Sequence, residues 1–209
     1  MVRPKKSSDS LPISVIVPHQ ESRREFFCAK SMPSIAENCP TEIIIELGTG
    51  GASEKRNRGW RKATQPFLFF CDDDVVLRDG TLELLLDALV ANEQAGWAYG
   101  HFMVRHAGGE CRVPDRDVSY AEPFSVKLLR SRNIMSTMSL VRDSAFPGWD
   151  ENLKSYIDWD GWLTMAGAGW LAERVDEILF DTYYLDRGIS AQPELGPISL
   201  KYIREKHGL

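Results

Sequence analysis

The chain has 209 residues, 43% of them apolar and 26% charged, with a net charge of −5. This composition excludes a disordered chain, and four cysteines (Cys28, Cys39, Cys71, Cys111) with no C-x-x-C pair exclude a zinc or disulfide framework and fit a reduced, cytoplasmic setting. No apolar run reaches the roughly 18 residues of a membrane helix, and the basic start Met1 to Ser10 lacks the apolar centre of a signal peptide.

Ile13 to Pro18 is short, β-branched and stopped by proline, which predicts a buried strand. Ser22 to Glu25 has the spacing of a capping box, so a helix is expected to start there and to be interrupted or ended by Pro33. Glu42 to Glu46 predicts a second strand, with Gly48, Gly50 and Gly51 as its exit loop. Ser53 is a candidate cap for a helix running to about Ala63. Pro66 to Cys71 predicts a third strand, and Leu82, Leu85, Leu86, Leu89 and Val90 a helix that Gly96 would stop. Trp97 to Val104 is a fourth strand candidate, and 105 to 132 reads as irregular. Strands are expected at Ser136 to Val141 and Val175 to Tyr184. Helices are expected where Trp159, Trp162, Leu163 and Ala166 repeat and over Ile198 to Lys206, with a loop between at Gly188 to Gly196.

Alternating strands and helices predict an α/β layer whose ligand crevice lies beyond the carboxyl ends of its strands. His19, Gln20, Glu21, Glu46 and the triplet Asp72-Asp73-Asp74 all fall at such ends. In extended chain Asp72 and Asp74 point one way and Asp73 the other. Two carboxylates on one side repel unless a cation lies between them, and hard oxygen donors suit magnesium or manganese. A solvated acidic turn is the plainer alternative. Asp158 and Asp160 open the later helix, where an N-cap would explain Asp158 on its own. Lys55, Arg56, Arg58, Arg61 and Lys62 form a basic cluster that Arg23 and Arg24 extend. It reads first as a solvated face, otherwise as a contact for a diphosphate or, with less support from the acidic net charge, for nucleic acid. His101 and His106 read as core or surface residues, not as ligands.

These segments, in this order, resemble family 2 glycosyltransferases of the GT-A fold. Ile13 to Pro18 is similar to that family's opening strand. Glu42 to Thr49 is similar to its second, which usually ends in two aspartates. Arg56-Asn57-Arg58-Gly59, Phe69 to Asp74, Phe146 to Glu151, Ile157 to Leu163 and Tyr202 to Gly208 resemble its further motifs, so the resemblance covers nearly the whole chain. It implies one GT-A (Rossmann-like) domain over 1–209, with a central, mostly parallel sheet flanked by helices. A nucleotide-sugar half would span about 11–96 and an acceptor half about 97–209.

The implied activity is metal-dependent, inverting transfer of a hexose or similar sugar from a nucleoside diphosphate, UDP foremost, to an acceptor hydroxyl. Pro18 would shape the nucleotide pocket, Glu46 would read base and ribose, and Arg56 would approach the base or diphosphate. Asp72 and Asp74 would hold Mn2+ or Mg2+, with Asp73 beside them at the substrate. Asp158 would be the general base, with Asp160 on the acceptor side. Three departures stand out: Ile157 replaces a glutamate before the base, Glu46-Leu47 replaces two aspartates, and no late histidine is present, leaving Asp186 or water as a third metal ligand. The acceptor would be a carbohydrate, such as a polysaccharide precursor, or a modified nucleic-acid base. A catalytically inactive sugar-nucleotide or polysaccharide binder is a further reading. A nucleotidyltransferase ranks last, because Pro18 to Ser22 contains no glycine-rich loop.

Overall fold

The apolar runs of strands β1 (Leu11–Pro18) and β3 (Phe67–Phe70) are buried on both faces, which requires a layer of helices on each side of the sheet. In β1, Ile13, Val15 and Val17 face one layer and Ile16 the other; in β3, Phe67 and Phe69 part from Leu68 and Phe70 in the same way. A computed structural model describes residues 10–107, 118–185 and 195–209.

The sheet runs β2 (Pro40–Glu46), β1, β3, β7 (Leu140–Arg142), β5 (Ala95–His106), β8 (Leu171–Tyr184), β4 (Val75–Leu77), with β6 (Val118–Ser119) pairing β5. β1 is parallel to β2 and β3, and β5 is parallel to β8. β7 is antiparallel to both β3 and β5, so β2, β1, β3, β5 and β8 all point the same way. Their carboxyl ends share one edge, and the antiparallel β4 and β7 begin there.

Helices α2 (Met32–Glu37) and α4 (Thr81–Val90) cover one face through Ile35, Leu82, Leu85 and Leu89. Helices α3 (Ala52–Trp60), α5 (Val126–Ser131), α6 (Ile157–Gly167) and α7 (Leu195–His207) cover the other. There Trp97 stacks on Trp162 at 5.4 Å, and Trp149 meets Trp162 edge-on at 5.6 Å. Two glycines allow close approaches on this side: a Cβ on Gly59 would lie 2.4 Å from Ile16 Cγ2, and one on Gly161 would lie 2.8 Å from the Trp149 ring.

Several boundaries differ from expectation. The chain enters its first helical run by a 3₁₀ turn at Glu21–Arg23 and α1 (Arg24–Phe26), so Ser22 caps nothing. Pro33 does not end that run: the preceding turn, Phe27–Ser31, widens to a π turn and α2 continues to Glu37. A proline offers no N–H to the preceding turn, and the π turn lies immediately before it. Gly51, not Ser53, is the N-cap of α3, and its N–H donates to Glu54 Oε2 at 2.8 Å. Gly96 lies inside β5, and α4 has already ended at Val90. β4 was not expected. Ser136 to Ser139 is not strand: only Leu140–Arg142 pairs. The predicted loop at Gly188 to Gly196 lies almost wholly outside the described residues.

Candidate functional site

The shared strand edge opens into a cleft of about 320 Å³, a usual size for a small-molecule site. Its walls include Pro18, Arg56, Asp72, Asp73, Asp74 and Asp158, drawn from four separate sequence motifs.

The acidic triplet sits where β3 gives way to β4. Its backbone is pinned: the Cys71 N–H donates to the Ile16 carbonyl (3.0 Å), Ser31 Oγ to the Asp73 carbonyl (3.0 Å) and the Tyr183 N–H to the Asp74 carbonyl (2.8 Å). Residues 73 and 74 form a turn, with the Val75 N–H on the Asp72 carbonyl at 3.3 Å, so the strand alternation expected from sequence does not hold and all three carboxylates border the one cleft. Asp73 is 1% exposed and is consumed by protein: His19 Nδ1 (2.9 Å), the Gln20 N–H (2.7 Å) and Arg23 Nη1 (3.0 Å) all donate to it. Asp72 pairs with Arg56. Asp74 accepts from Arg23 Nη1 at 2.7 Å. Burial, and then the charge of Asp72, push the Asp74 carboxyl up to about 7.

Arg56 comes from the first turns of α3 and is buried beneath the cleft, its guanidinium 6.0 Å from the centre of the Trp149 ring. Its Nε has no hydrogen-bond partner among the described residues. Asn57, next to it, locks α3 to the loop before α6. Its Nδ2 donates to the Trp149 carbonyl and to Glu151 Oε1, both at 2.8 Å, and its Oδ1 accepts from the Trp149 N–H at 2.9 Å.

Asp158 lies in the first turn of α6. It is not the N-cap, the simplest expectation from sequence; that place is Tyr156, held at φ +54°, with no side-chain cap. Asp158 Oδ1 accepts from the Trp159 N–H at 2.9 Å. Burial raises its carboxyl above the ordinary value and outweighs the hydrogen bonds and the Arg56 charge that oppose it. The helix start would favour the ionised form, but desolvation prevails and makes the carboxylate a stronger base.

Two expected contacts are not brought to the cleft. Asp160 points to the opposite side of α6, 2% exposed, and accepts from Lys206 Nζ and His207 Nε2, each at 2.8 Å. Glu46 is buried at the end of β2, between Arg58 (3.3 Å) and Lys62, and does not line the cleft. The basic cluster is spoken for as well: Lys55 Nζ donates to the His19 carbonyl at 2.7 Å, and Arg61 approaches Glu151 at 3.9 Å. It is no open anionic-ligand stripe. His101 is a core residue: its Nδ1 accepts from the Ala121 N–H and its Nε2 donates to Asp176.

Sequence reasoning missed Arg23 and His19 as partners of the triplet, and Tyr156, Ser136, Thr137, Tyr183 and Tyr184 as cleft walls. Only the position of the first two, just past a strand end, pointed to the site.

The donor set fits a divalent cation. Asp72 and Asp74 offer two hard oxygen ligands on one cleft. No group of three or more His, Cys, Asp and Glu side chains converges among the described residues. Asp186, the sequence candidate for a third ligand, lies outside them.

The sequence profile of "Glycosyl transferase family 2" matches residues 32–148, more than half of the chain. The chain belongs to glycosyl transferase family 2. The match takes in β2, α3 and the acidic triplet; β1 and α6 lie outside it. No curated protein matches the sequence significantly. Among solved structures, residues 1-349 of S. aureus TarS superpose with a TM-score of 0.60 at 16% identity, covering 93% of this chain and 64% of that one. The same fragment in complex with UDP-GlcNAc gives 0.57 at 16% identity, covering 82% and 58%. The S. aureus TarS structure gives 0.62, covering 93% of this chain and 39% of that one. This likeness is one of fold, and the chain spans less than two thirds of the TarS chains it matches. The α/β architecture with helices on both faces is therefore the GT-A fold. No helix among the described residues is long and apolar enough to cross a membrane.

Proposed function

We propose that this chain transfers a sugar from a nucleoside diphosphate, with UDP as the carrier, to an acceptor hydroxyl, inverting the anomeric carbon. The observation that carries the reading is the convergence of Asp72, Asp74, Arg56 and Asp158 on one cleft. UDP as the carrier is supported by the similar TarS structures in complex with UDP and UDP-GlcNAc.

Asp158 takes the proton from the acceptor hydroxyl as that oxygen attacks the anomeric carbon, and the bond from that carbon to the diphosphate breaks. A single base and a departing diphosphate on opposite sides of the sugar give one displacement, hence inversion. Desolvation serves the step by raising the basicity of Asp158. Arg56 lines the cleft and brings its guanidinium charge to the diphosphate, with Nη2 kept on Asp72. Asp72 and Asp74 would hold Mn2+ or Mg2+, which when bound supplies positive charge against the charge developing on the leaving group.

The remaining walls suit a carbohydrate acceptor. Tyr156, Tyr183 and Tyr184 offer ring faces, and Ser136 and Thr137 offer hydroxyls. A nucleic-acid acceptor has less support, because the α3 cations are engaged with protein groups.

Thermal melts with UDP, GDP and dTDP, each with manganese or with excess chelator, test the reading. UDP is expected to raise the melting temperature most, and only with manganese. A nucleotide-blind response would refute the donor assignment, and equal stabilisation in chelator would refute the metal.

A further inference from the structure

Each carboxylate of the triplet has a basic partner on protein, but the partners are not equivalent. Arg56, on Asp72, belongs to a nine-residue helix, is buried and lies near the Trp149 ring, so it is held in place. Arg23, on Asp74, closes a three-residue 3₁₀ turn in the loop after β1. A single nitrogen, Nη1, serves Asp73 at 3.0 Å and Asp74 at 2.7 Å. Asp73 is the anchor, since His19 and the Gln20 N–H fix its other oxygen. Asp74 is the more open of the two, its side chain 17% exposed against 2% for Asp73.

A divalent ion ligated by Asp74 would lie within a few ångströms of this guanidinium. Two cations on one carboxylate repel more strongly the less water reaches it: Asp72, 32% exposed, has room for Arg56 on one oxygen and an ion on the other, whereas at Asp74, 17% exposed, the ion and Arg23 compete. Arg23 also lines the cleft that the proposed donor would fill. Its planar fork has the shape to meet two phosphate oxygens.

We propose that Arg23 is an exchangeable counter-ion: it holds Asp74 while no divalent ion is bound, and it yields that carboxylate to the ion when a nucleoside diphosphate takes up its guanidinium. The inference rests on the reading of Asp72 and Asp74 as metal ligands and of the cleft as a nucleoside-diphosphate site. Arg23 then makes metal and nucleotide bind together, and by linkage each tightens the other. The metal alone is held weakly, and the complete donor complex is held well.

The test measures free Mn2+ by electron paramagnetic resonance as wild type, Arg23→Gln and Arg23→Lys are titrated, each with and without UDP. In wild type, UDP is expected to tighten manganese binding by about tenfold or more, within the usual range of such couplings. Arg23→Gln should bind manganese alone at least about tenfold more tightly than wild type and lose most of the UDP effect. Arg23→Lys keeps the charge, so its affinity for manganese alone should stay near wild type, but it cannot fork across two phosphate oxygens and the UDP effect should shrink. A melting curve for each variant reports folding. Should Arg23→Gln not fold, Arg23→Lys decides: an undiminished UDP effect overturns the proposal. Arg23→Gln binding manganese alone no more tightly than wild type also overturns it. A UDP effect equal in wild type and Arg23→Gln leaves the metal reading standing and removes only the counter-ion. Manganese binding to no form, with or without UDP, removes both.

Discussion

Asp74→Asn should stabilise the metal-free protein at alkaline pH, although it removes an ion pair. The carboxyl titrates near 7 in the folded state against an ordinary 3.8, with burial and Asp72 as the causes. Because the folded pKa is the higher one, the folded state keeps a proton that the unfolded chain has lost. Stability therefore falls as pH rises from about 3.8 to about 7, and the penalty stays complete above that. At 1.36 kcal/mol per unit the ceiling is about 4 kcal/mol, and solvent access to the carboxyl reduces a working figure to about 2 kcal/mol. Asparagine has nearly the same shape, still accepts from Arg23 and carries no charge. Urea denaturation in excess chelator at pH 8 should show Asp74→Asn more stable than wild type by about 1–2 kcal/mol. At pH 4, where the wild-type carboxyl is protonated in the folded state, the gain should nearly vanish. Adding manganese together with UDP at pH 8 should stabilise wild type and stabilise the variant far less. A variant no more stable than wild type at pH 8, or a gain of equal size at pH 4, would refute the electrostatic argument.

Asp158→Asn should cut sugar transfer by about 10²–10⁴-fold while UDP affinity barely changes and the melting temperature does not fall, since asparagine can still accept from the Trp159 N–H and removes a charge that burial disfavours. Full activity in that variant would remove Asp158 as base and favour a binding role for the cleft. Asp160→Asn should act on stability instead: it leaves Lys206 and His207 facing a neutral group and should cost about 2 kcal/mol in urea denaturation, with UDP affinity unchanged. An Asp160→Asn protein as stable as wild type but unable to transfer sugar would place Asp160 back in the catalytic machinery.

The parts of the site that obey local rules were legible. The runs at Ile13 to Pro18 and Phe67 to Phe70 are apolar on both faces, so they had to be central strands, and the loops leaving their carboxyl ends had to meet at one edge. Asp72, Asp73 and Asp74 were legible as a strand-end acidic group, but the turn at residues 73 and 74 sets their directions in place of the alternation of an extended chain. Helical geometry likewise separates Asp158 from Asp160: two residues turn the helix by about 200°, so both could not face one acceptor. Pairing them because they are close in sequence overlooked that turn. β4 was hidden because three residues carry too little pattern, and its existence depends on β8 across the sheet. Glu46, Arg23 and His19 were beyond local reading. Which cation reaches which carboxylate depends on the packing of β1, α3 and the triplet loop, and long side chains choose partners across sequence separations that no periodicity encodes. Glu46 ends at the expected strand edge, yet Arg58 on α3 and Lys62 in the turn after it claim it.

The clasp of α7 on α6 bears on the order in which a nascent chain can become active. The wall that carries the triplet is built on β1, β2 and β3, whose pairings use residues 11–70. The helix that carries Asp158 is tied down by Lys206 and His207, 46 and 47 residues further along the chain from Asp160. β5, likewise, waits for β8. Synthesis proceeds from the first wall to the last clasp, and contacts between distant residues form late because the intervening loop must close first. In a nascent chain the β1–β2–β3 wall can thus assemble well before α7 clasps α6, but the triplet is complete only when β8 has paired with β4 and the Tyr183 N–H has reached the Asp74 carbonyl.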